Sequence, residues 1–269
     1  MNQIVLLSIG VLAAIGIVAA ILLYFVAQKF KVYEDPMIAV VAELLPGANC
    51  GGCGFAGCRN FAENIVKNKG LNGKMCPAGG APVNEQIAKL FGGEVGVATP
   101  KRLVLRCNGS CENASAKTQY DSITSCAFAN MITAGESACM YGCLGCGDCT
   151  KACKFGALRI NPATGLPEVD AEKCVACGAC VNTCPRKLLA LVPMTEQGIV
   201  WVACANKERG IDAKKNCAAA CIGCMKCVKN CENEAIKVTD NLAQINEKCI
   251  ACHKCEEGCP AKAIHSINA

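Results

Sequence analysis

The sequence predicts an α+β fold in which one N-terminal membrane helix precedes several small modules held together by metal centres. Three observations predict this fold. Residues 4–26 form a long uncharged apolar stretch, 26 of the 269 residues are Cys in largely repeated spacings, and only 4% of residues are aromatic. So few aromatic side chains cannot build one large core. A chain this rich in cysteine is either a disulfide scaffold or a metal–thiolate protein, and compartment and spacing decide between them.

The apolar stretch predicts a transmembrane anchor over residues 1–28. At about 1.5 Å per residue, it is long enough to cross a hydrocarbon core about 30 Å thick. A cleaved signal peptide is the alternative, but it needs a basic start, and residues 1–3 contain no Lys or Arg. The apolar stretch itself has no Asp, Glu, Lys, Arg or His that could carry an ion across the bilayer.

The residues after the helix predict on which side of the membrane the other domains lie. Lys29 and Lys31 follow the apolar stretch. By the positive-inside rule, they predict a single-pass protein of the cell (inner) membrane with its C-terminal domains on the cytoplasmic side. The cysteines then lie in a reducing compartment, which favours metal ligands over disulfides.

Residues 29–100 are predicted to form a small N-terminal [4Fe-4S] domain. The motif C-x2-C-x4-C-x17-C supplies four thiolates among glycines, which suits a cluster whose sulfides accept backbone N–H hydrogen bonds. An all-cysteine zinc site is the alternative. Residues 52–57 also match G-x-G-x-x-G, but residues 37–44 before them look helical and no acidic residue lies between Asn64 and Asn84, which excludes dinucleotide binding. The candidate ligands are Cys50, Cys53, Cys58 and Cys76.

Four further cysteine runs follow the spacing C-x2-C-x2-C-x3-C, two in residues 139–195 and two in residues 196–269. In bacterial two-cluster ferredoxins, three close thiolates of such a run bind one [4Fe-4S] cluster and the fourth cysteine binds its neighbour. We therefore predict two tandem two-cluster ferredoxin domains, the second with a strand-like lead-in. Zinc is a poor alternative, because structural zinc sites use pairs of ligands. The predicted sets are Cys143, Cys146, Cys149 and Cys184; Cys153, Cys174, Cys177 and Cys180; Cys221, Cys224, Cys227 and Cys259; and Cys231, Cys249, Cys252 and Cys255.

Each ferredoxin-like domain also contains a predicted β-hairpin. Residues 157–160 and 166–169 flank a turn-rich segment in the first domain, and residues 236–238 and 242–245 flank another in the second. Because the binding energy of such metal sites is also folding energy, we expect both domains to depend on their clusters for folding.

Six cysteines remain outside these motifs. Cys139 and Cys217 each precede the first ligand of their domain by four residues, and the strand-like residues 103–107 resemble residues 199–204, so the duplication extends beyond the ferredoxin cores. The first copy, with its connecting segment 101–138, holds four of the six. We predict that these four bind a sixth cluster and that Cys204 and Cys217 are buried thiols; alternatively, all six are structural thiols. The predicted sixth set is Cys107, Cys111, Cys126 and Cys139.

The net charge of the cluster-loaded protein argues against nucleic acid as a binding partner. The formal net charge is +5 with cysteines counted as neutral thiols, but an oxidised [4Fe-4S] cluster with its thiolates carries roughly −2. Five or six clusters therefore make the protein net negative. Two local basic clusters predict either docking of an acidic electron carrier or simply solvated faces. They are Lys67, Lys69 and Lys74, and Lys207, Arg209, Lys214 and Lys215.

The full order of motifs, from membrane helix to tandem ferredoxins, closely resembles the B subunit of the Rnf complex over essentially the whole chain. The resemblance implies a subunit of a membrane-bound ferredoxin:NAD⁺ oxidoreductase that couples electron flow to sodium or proton transport. It implies that reduced ferredoxin, or flavodoxin, is the electron donor and that other membrane and peripheral subunits receive the electrons.

The residues themselves predict an electron relay. Every predicted cluster is fully ligated by Cys, so we expect one-electron transfer with no catalytic residue and no complete active site on this chain. Two alternatives remain open at this point. One is a polyferredoxin subunit of another membrane oxidoreductase, such as a hydrogenase, and the other is a membrane-tethered redox sensor.

Overall fold

The N-terminal helix is the longest element of the computed structural model, which describes residues 2–29, 34–93, 99–120, 124–132 and 135–268. Helix α1 spans Asn2–Lys29. Its segment Leu6–Lys29 has a mean hydropathy of 2.8 and is not buried against the rest of the chain. By length and composition this helix is sufficient to cross a membrane, as predicted. Lys29 is its last residue, whereas Lys31 lies outside the described residues.

Three helices form the N-terminal module: α2 (Pro36–Leu44), α3 (Cys58–Lys67) and α4 (Gly80–Phe91). Asp35 caps α2 by accepting a hydrogen bond from the backbone N–H of Met37 at 2.9 Å. One face of each helix packs into a common core that includes Val41, Phe61 and Ile87. The helix predicted over residues 37–44 is confirmed.

A first mixed module follows. Its elements are β1 (Lys101–Leu105), α5 (Cys126–Ile132), α6 (Asp148–Lys151), β2 (Leu158–Ile160), β3 (Pro167–Val169), α7 (Ala179–Thr183) and β4 (Leu189–Pro193). Strand β1 pairs antiparallel with β4, so that Leu105 lies opposite Leu189. Strands β2 and β3 form an antiparallel hairpin with Leu158 opposite Val169. The predicted hairpin is therefore present, and residues 101–105 share a sheet with the last strand of this module.

The second mixed module repeats this arrangement. Its elements are β5 (Ile199–Val202), α8 (Gly210–Asn216), α9 (Lys226–Lys229), β6 (Ile236–Thr239), β7 (Leu242–Ile245), α10 (Lys254–Glu257) and β8 (Ile264–Ile267). Strand β5 pairs antiparallel with β8, and β6 and β7 form a hairpin. Asp240 and Asn241, at the bend, both have positive φ angles, as a tight two-residue hairpin turn requires. The predicted hairpin and the predicted equivalence of the two lead-in strands are confirmed.

The two mixed modules are joined by direct hydrogen bonds. The indole N–H of Trp201 in β5 donates to the backbone oxygen of Leu105 in β1 at 2.9 Å. The segment after β1 runs along the second module, where Ala218 N–H donates to Asn113 O at 2.7 Å and Ser115 N–H donates to Asn216 O at 3.2 Å. The ends of β1 and β5 are thereby held next to each other.

Candidate metal centres

The thiols of this chain are unpaired and grouped. All 26 cysteines are free of disulfide bonds. Across the described ranges, no three His, Cys, Asp or Glu side chains converge closely enough to hold a single metal ion. The cysteines instead surround small cavities. A zinc ion needs four ligands within about 2.0–2.3 Å of one point, whereas a cluster of several iron and sulfide atoms fills a volume, so this arrangement fits clusters better than single ions.

The N-terminal module places its four motif cysteines around one cavity. Besides these four, Leu45, Phe61 and Pro77 contribute to the lining, which is otherwise mostly apolar. Cys76 lies in the segment before α4, where buried Asn84 accepts from the Cys76 backbone N–H at 2.8 Å and donates to its carbonyl at 3.0 Å. The backbone N–H of Gly79 points at the Cys76 sulfur at 3.3 Å. The predicted ligands lining the cavity are Cys50, Cys53, Cys58 and Cys76.

In the first mixed module, one cavity is lined by all four cysteines of a predicted set. Leu103 from β1 and Leu191 from β4 close it on one side. The set is Cys153, Cys174, Cys177 and Cys180.

The other predicted set of this module contains an additional thiol. Cys143, Cys149 and Cys184 line a cavity together with Cys126, the first residue of α5. Cys146 lies beside Cys126: burial raises the pKa of the Cys146 thiol to about 11, and a hydrogen bond with Cys126 adds to the increase. Five thiols are thus available where four were predicted.

The second mixed module shows the same grouping. Cys221, Cys224, Cys227 and Cys259 line one cavity. The remaining predicted set is Cys231, Cys249, Cys252 and Cys255. Its members are near neighbours. Burial raises the pKa of the Cys255 thiol to about 12, and the proximity of Cys249 and Cys252 contributes to that increase. Burial also raises the pKa of Cys249, with Cys231 and Cys252 contributing.

The fourth cysteine of every run is held in the same way. In each run, the backbone N–H four residues later donates to its sulfur. These bonds are Ala157 to Cys153 at 3.3 Å, Leu188 to Cys184 at 3.4 Å, Ala235 to Cys231 at 3.3 Å and Ala263 to Cys259 at 3.4 Å. Backbone N–H groups aimed at sulfur stabilise a thiolate and are one of the features that set the potential of an iron–sulfur centre.

Burial governs the acidity of these thiols. It raises the pKa of both Cys143 and Cys180 to about 12. Without a metal these groups are therefore neutral at physiological pH. Binding a cluster must release their protons, which couples loading of the sites to pH.

The predicted sixth set is corrected by the structure, which does not bring its four cysteines together. Cys111 is exposed and attached to the β2–β3 turn, where its N–H donates to Thr164 O at 3.1 Å. Cys126 lies with Cys143 and Cys149, as described above. The separation arises because the chain after Cys111 crosses to the second module and returns before α5, a path that cysteine spacing does not reveal.

Cys107 and Cys139 do share a cavity, but with cysteines of the second module. Their companions there are Cys204 and Cys217. The prediction that these two thiols are buried is confirmed, since they are 7% and 6% exposed. The duplicated sequence predicts the equivalence of Cys107 with Cys204 and of Cys139 with Cys217, but it does not predict that the pairs meet.

Comparisons with known proteins agree with these sites. Residues 142–188 match the family model of the 4Fe-4S dicluster domain, and residues 45–77 match the FeS family model, which describes an Fe-S cluster. The fold and the sites therefore define an iron–sulfur protein of the multi-cluster, electron-carrying class.

Curated relatives identify the family. The chain is 42% identical to the B subunit of the ion-translocating oxidoreductase complex of Methanosarcina acetivorans, over 92% of each chain. It is 41% identical to the B subunit of the Na(+)-translocating ferredoxin:NAD(+) oxidoreductase complex of Acetobacterium woodii, over 90% of this chain and 72% of the relative. It is 38% identical to the proton-translocating counterpart of Clostridium ljungdahlii, over 92% and 86%. The chain belongs to the family of Rnf complex B subunits, as its motifs indicated.

Proposed function

We propose that this chain is the electron-transfer subunit of a membrane-bound ferredoxin:NAD⁺ oxidoreductase coupled to sodium or proton translocation. It accepts electrons from reduced ferredoxin, or flavodoxin, and relays them to partner subunits. The names of the relatives from Acetobacterium woodii and Clostridium ljungdahlii support this activity. The dicluster match supports the relay. When bound, each [4Fe-4S] cluster supplies reversible one-electron transfer.

The proposed ligands are the twenty motif cysteines, in five sets. Each set surrounds a common cavity or has members close enough to perturb one another's pKa, as described above. The mixed modules act as tandem two-cluster ferredoxin domains over residues 139–195 and 196–269. Segment 101–138 connects them to the N-terminal domain of residues 29–100, and the β1–β4 pairing adds residues 101–105 to the first module.

The observation that carries the proposal is the succession of contacts between neighbouring sites. At one end, burial raises the pKa of the Cys177 thiol, and its hydrogen bond with Cys50 of the N-terminal site adds to the increase. Burial likewise raises the pKa of Cys180, and Cys149 of the adjacent site contributes. The site of Cys177 and Cys180 therefore neighbours both the N-terminal site and the other site of the first mixed module.

The two proposed sites of the second module also neighbour each other. Burial raises the pKa of Cys255, and Cys227 of the neighbouring site is among the thiols that add to it.

Lys154 fixes the N-terminal module onto the first mixed module by donating to Ala48 O at 2.8 Å and to Asn49 O at 3.0 Å. Sites held in such a row suit electron transfer along the molecule.

Helix α1 anchors this row in the cell membrane as a single span, with the cysteine-bearing modules on the cytoplasmic side. The exposure of its apolar side chains supports the anchor. Because the apolar stretch 4–26 has no Asp, Glu, Lys, Arg or His, ion movement belongs to partner subunits.

Interruption of the row tests the proposal. We expect membranes containing the whole complex with Cys180→Ser to lose at least roughly tenfold of their ferredoxin-dependent NAD⁺ reduction, since an internal thiolate ligand is missing. The matched control is Cys111→Ser, which removes an exposed cysteine outside the five sets and is expected to keep the wild-type rate. A wild-type rate in the Cys180→Ser membranes, with the variant chain present in normal amount, would overturn the proposal.

A further inference from the structure

Four cysteines outside the five proposed sets line one cavity at the junction of the two mixed modules. The exposure of each is 9% or less. The space in this cavity, its open mouth included, is about 340 Å³, and the same measure is about 290 to 420 Å³ for the four cavities lined by motif cysteines. The junction cavity is therefore the same size as the proposed cluster sites. Its cysteines are Cys107, Cys139, Cys204 and Cys217.

Each module contributes two of these cysteines from equivalent positions. Cys107 follows strand β1 and Cys204 follows strand β5. The sulfur of Cys107 accepts hydrogen bonds from the N–H groups of Gly109 at 3.4 Å and Cys143 at 3.3 Å. The sulfur of Cys204 accepts the matching pair from Asn206 and Cys221, both at 3.4 Å.

The second cysteine of each module completes the pattern. Cys139 and Cys217 lie four residues before Cys143 and Cys221, respectively. The two halves of the junction site are thus related to each other by the duplication of the chain. It is complete only because both modules are present.

The sulfurs of opposite modules face one another across the cavity. A Cβ placed on Gly109 would lie 3.5 Å from the Cys107 sulfur and 3.6 Å from the Cys217 sulfur. The amide of Asn206, only 1% exposed, points its Nδ2 at the Cys139 sulfur at 3.6 Å, while its own backbone N–H donates to Cys204. The four thiols are neither oxidised nor gathered on a single point, as described for the other sites.

The electrostatic environment is arranged for negative charge. Neutral buried thiols have little need for four N–H donors and a nearby cation. Arg186 is such a cation: its guanidinium donates to the backbone oxygen of Gly142, which lies between Cys139 and Cys143 in the chain, at 2.5 Å.

We propose that Cys107, Cys139, Cys204 and Cys217 bind a further [4Fe-4S] cluster at the junction of the two mixed modules. The two hydrogen bonds from Cys143 and Cys221 connect this site directly to the nearest proposed cluster site of each module. Its role as the bridge between the two halves of the electron path rests on the proposed function. The existence of the junction cluster is independent of the proposed function.

Native mass spectrometry of the anaerobically purified full chain in detergent tests the inference. We expect six intact [4Fe-4S] clusters in the wild type and five in Cys204→Ser, equivalent to about four iron atoms and about four sulfide atoms fewer per chain. The matched control Cys111→Ser is expected to keep six. Five or fewer clusters in the wild type would overturn the inference, as would six in Cys204→Ser.

The number of clusters in the wild type tests the inference even where Cys204→Ser does not fold, because this measurement needs no variant. The spectrum of reduced clusters in Cys204→Ser supplies a further check, since the signals of the five motif sites are expected to persist in a folded variant. Ferredoxin oxidation is measured separately on the same wild-type sample. Failure of the donor reaction with six clusters present would contradict the proposed function and leave the junction site in place.

Discussion

At the scale of single residues, local spacing predicts most of the cysteine groupings and tertiary contacts decide the rest. A C-x2-C-x2-C run places its first three thiolates on one loop, so Cys221, Cys224 and Cys227 meet whatever the rest of the chain does. Cys126 has no such local constraint. Its position beside Cys146 depends on how α5 packs against the first module, and no sequence pattern predicted it.

The fifth thiol at the first module predicts an asymmetric response to serine substitution. We expect Cys146→Ser to keep its cluster, because Cys126 lines the cavity formed with Cys143, Cys149 and Cys184 and is able to replace the missing ligand. Cys224→Ser, at the equivalent position of the second module, is the matched comparison and is expected to lose a cluster, since its cavity is lined by the four motif cysteines alone. Iron and sulfide analysis of both variants distinguishes them. Equal cluster loss in Cys146→Ser and Cys224→Ser would contradict the replacement of the Cys146 ligand by Cys126. Loss of a cluster in the single variant Cys126→Ser would contradict it as well.

Arg186 predicts a difference in reduction potential. Half-buried beside Cys139, Cys143 and Cys107, its charge favours the more negative, reduced state of a nearby cluster. We expect Arg186→Met to lower the potential of that cluster by tens of millivolts, and Arg186→Lys to restore part of the loss. Lys187→Met removes the same charge from an exposed neighbour and is the control, since water screens that position. EPR-monitored redox titration gives the potentials, and identical shifts in both Met variants would refute a specific role of Arg186.

At the scale of elements, the sequence predicted the two hairpins and the two lead-in strands, because alternating short apolar segments around turn residues are local signals. It did not predict the partners of the lead-in strands. Strand β1 pairs with β4 and β5 pairs with β8 across most of each module, and such long-range pairing leaves no mark in local spacing. For the same reason the sequence did not predict the junction site, whose position depends on where β1 and β5 end.

The contact between the N-terminal module and the first mixed module predicts the effect of a small substitution. A Cβ on Gly52 would lie 2.7 Å from the Pro77 side chain and 2.8 Å from the backbone oxygen of Cys177, which is too close without movement of the backbone. We expect Gly52→Ala to reduce stability by about 1–3 kcal/mol, measured by thermal unfolding of the anaerobic protein. Gly93→Ala, where nothing lies within 4 Å of the added atom, is expected to have little effect. An unchanged Gly52→Ala midpoint would mean that the two modules are not packed as described.

At the scale of the whole molecule, the fold gives each small module little apolar core and much sulfur. The second mixed module buries side chains such as Val200, Ile236, Leu242 and Ile264 around its cysteines, so the candidate clusters and the core occupy the same space. Stability and electron transfer therefore depend on the same ligands, and removal of iron is expected to unfold the modules and not merely to inactivate them. Chelation of iron from the anaerobic protein, followed by circular dichroism, checks this: retention of the full native spectrum without iron would contradict it.

The central claim is that this chain is an iron–sulfur electron relay fed by reduced ferredoxin. The most direct test is a stoichiometric titration of the anaerobically purified full chain with reduced ferredoxin, followed by EPR and by iron analysis of the same sample. The account predicts iron as the bound metal, and about one electron taken up per [4Fe-4S] cluster until all six are reduced. Zinc in place of iron, or iron–sulfur clusters that dithionite reduces but ferredoxin does not, would contradict it.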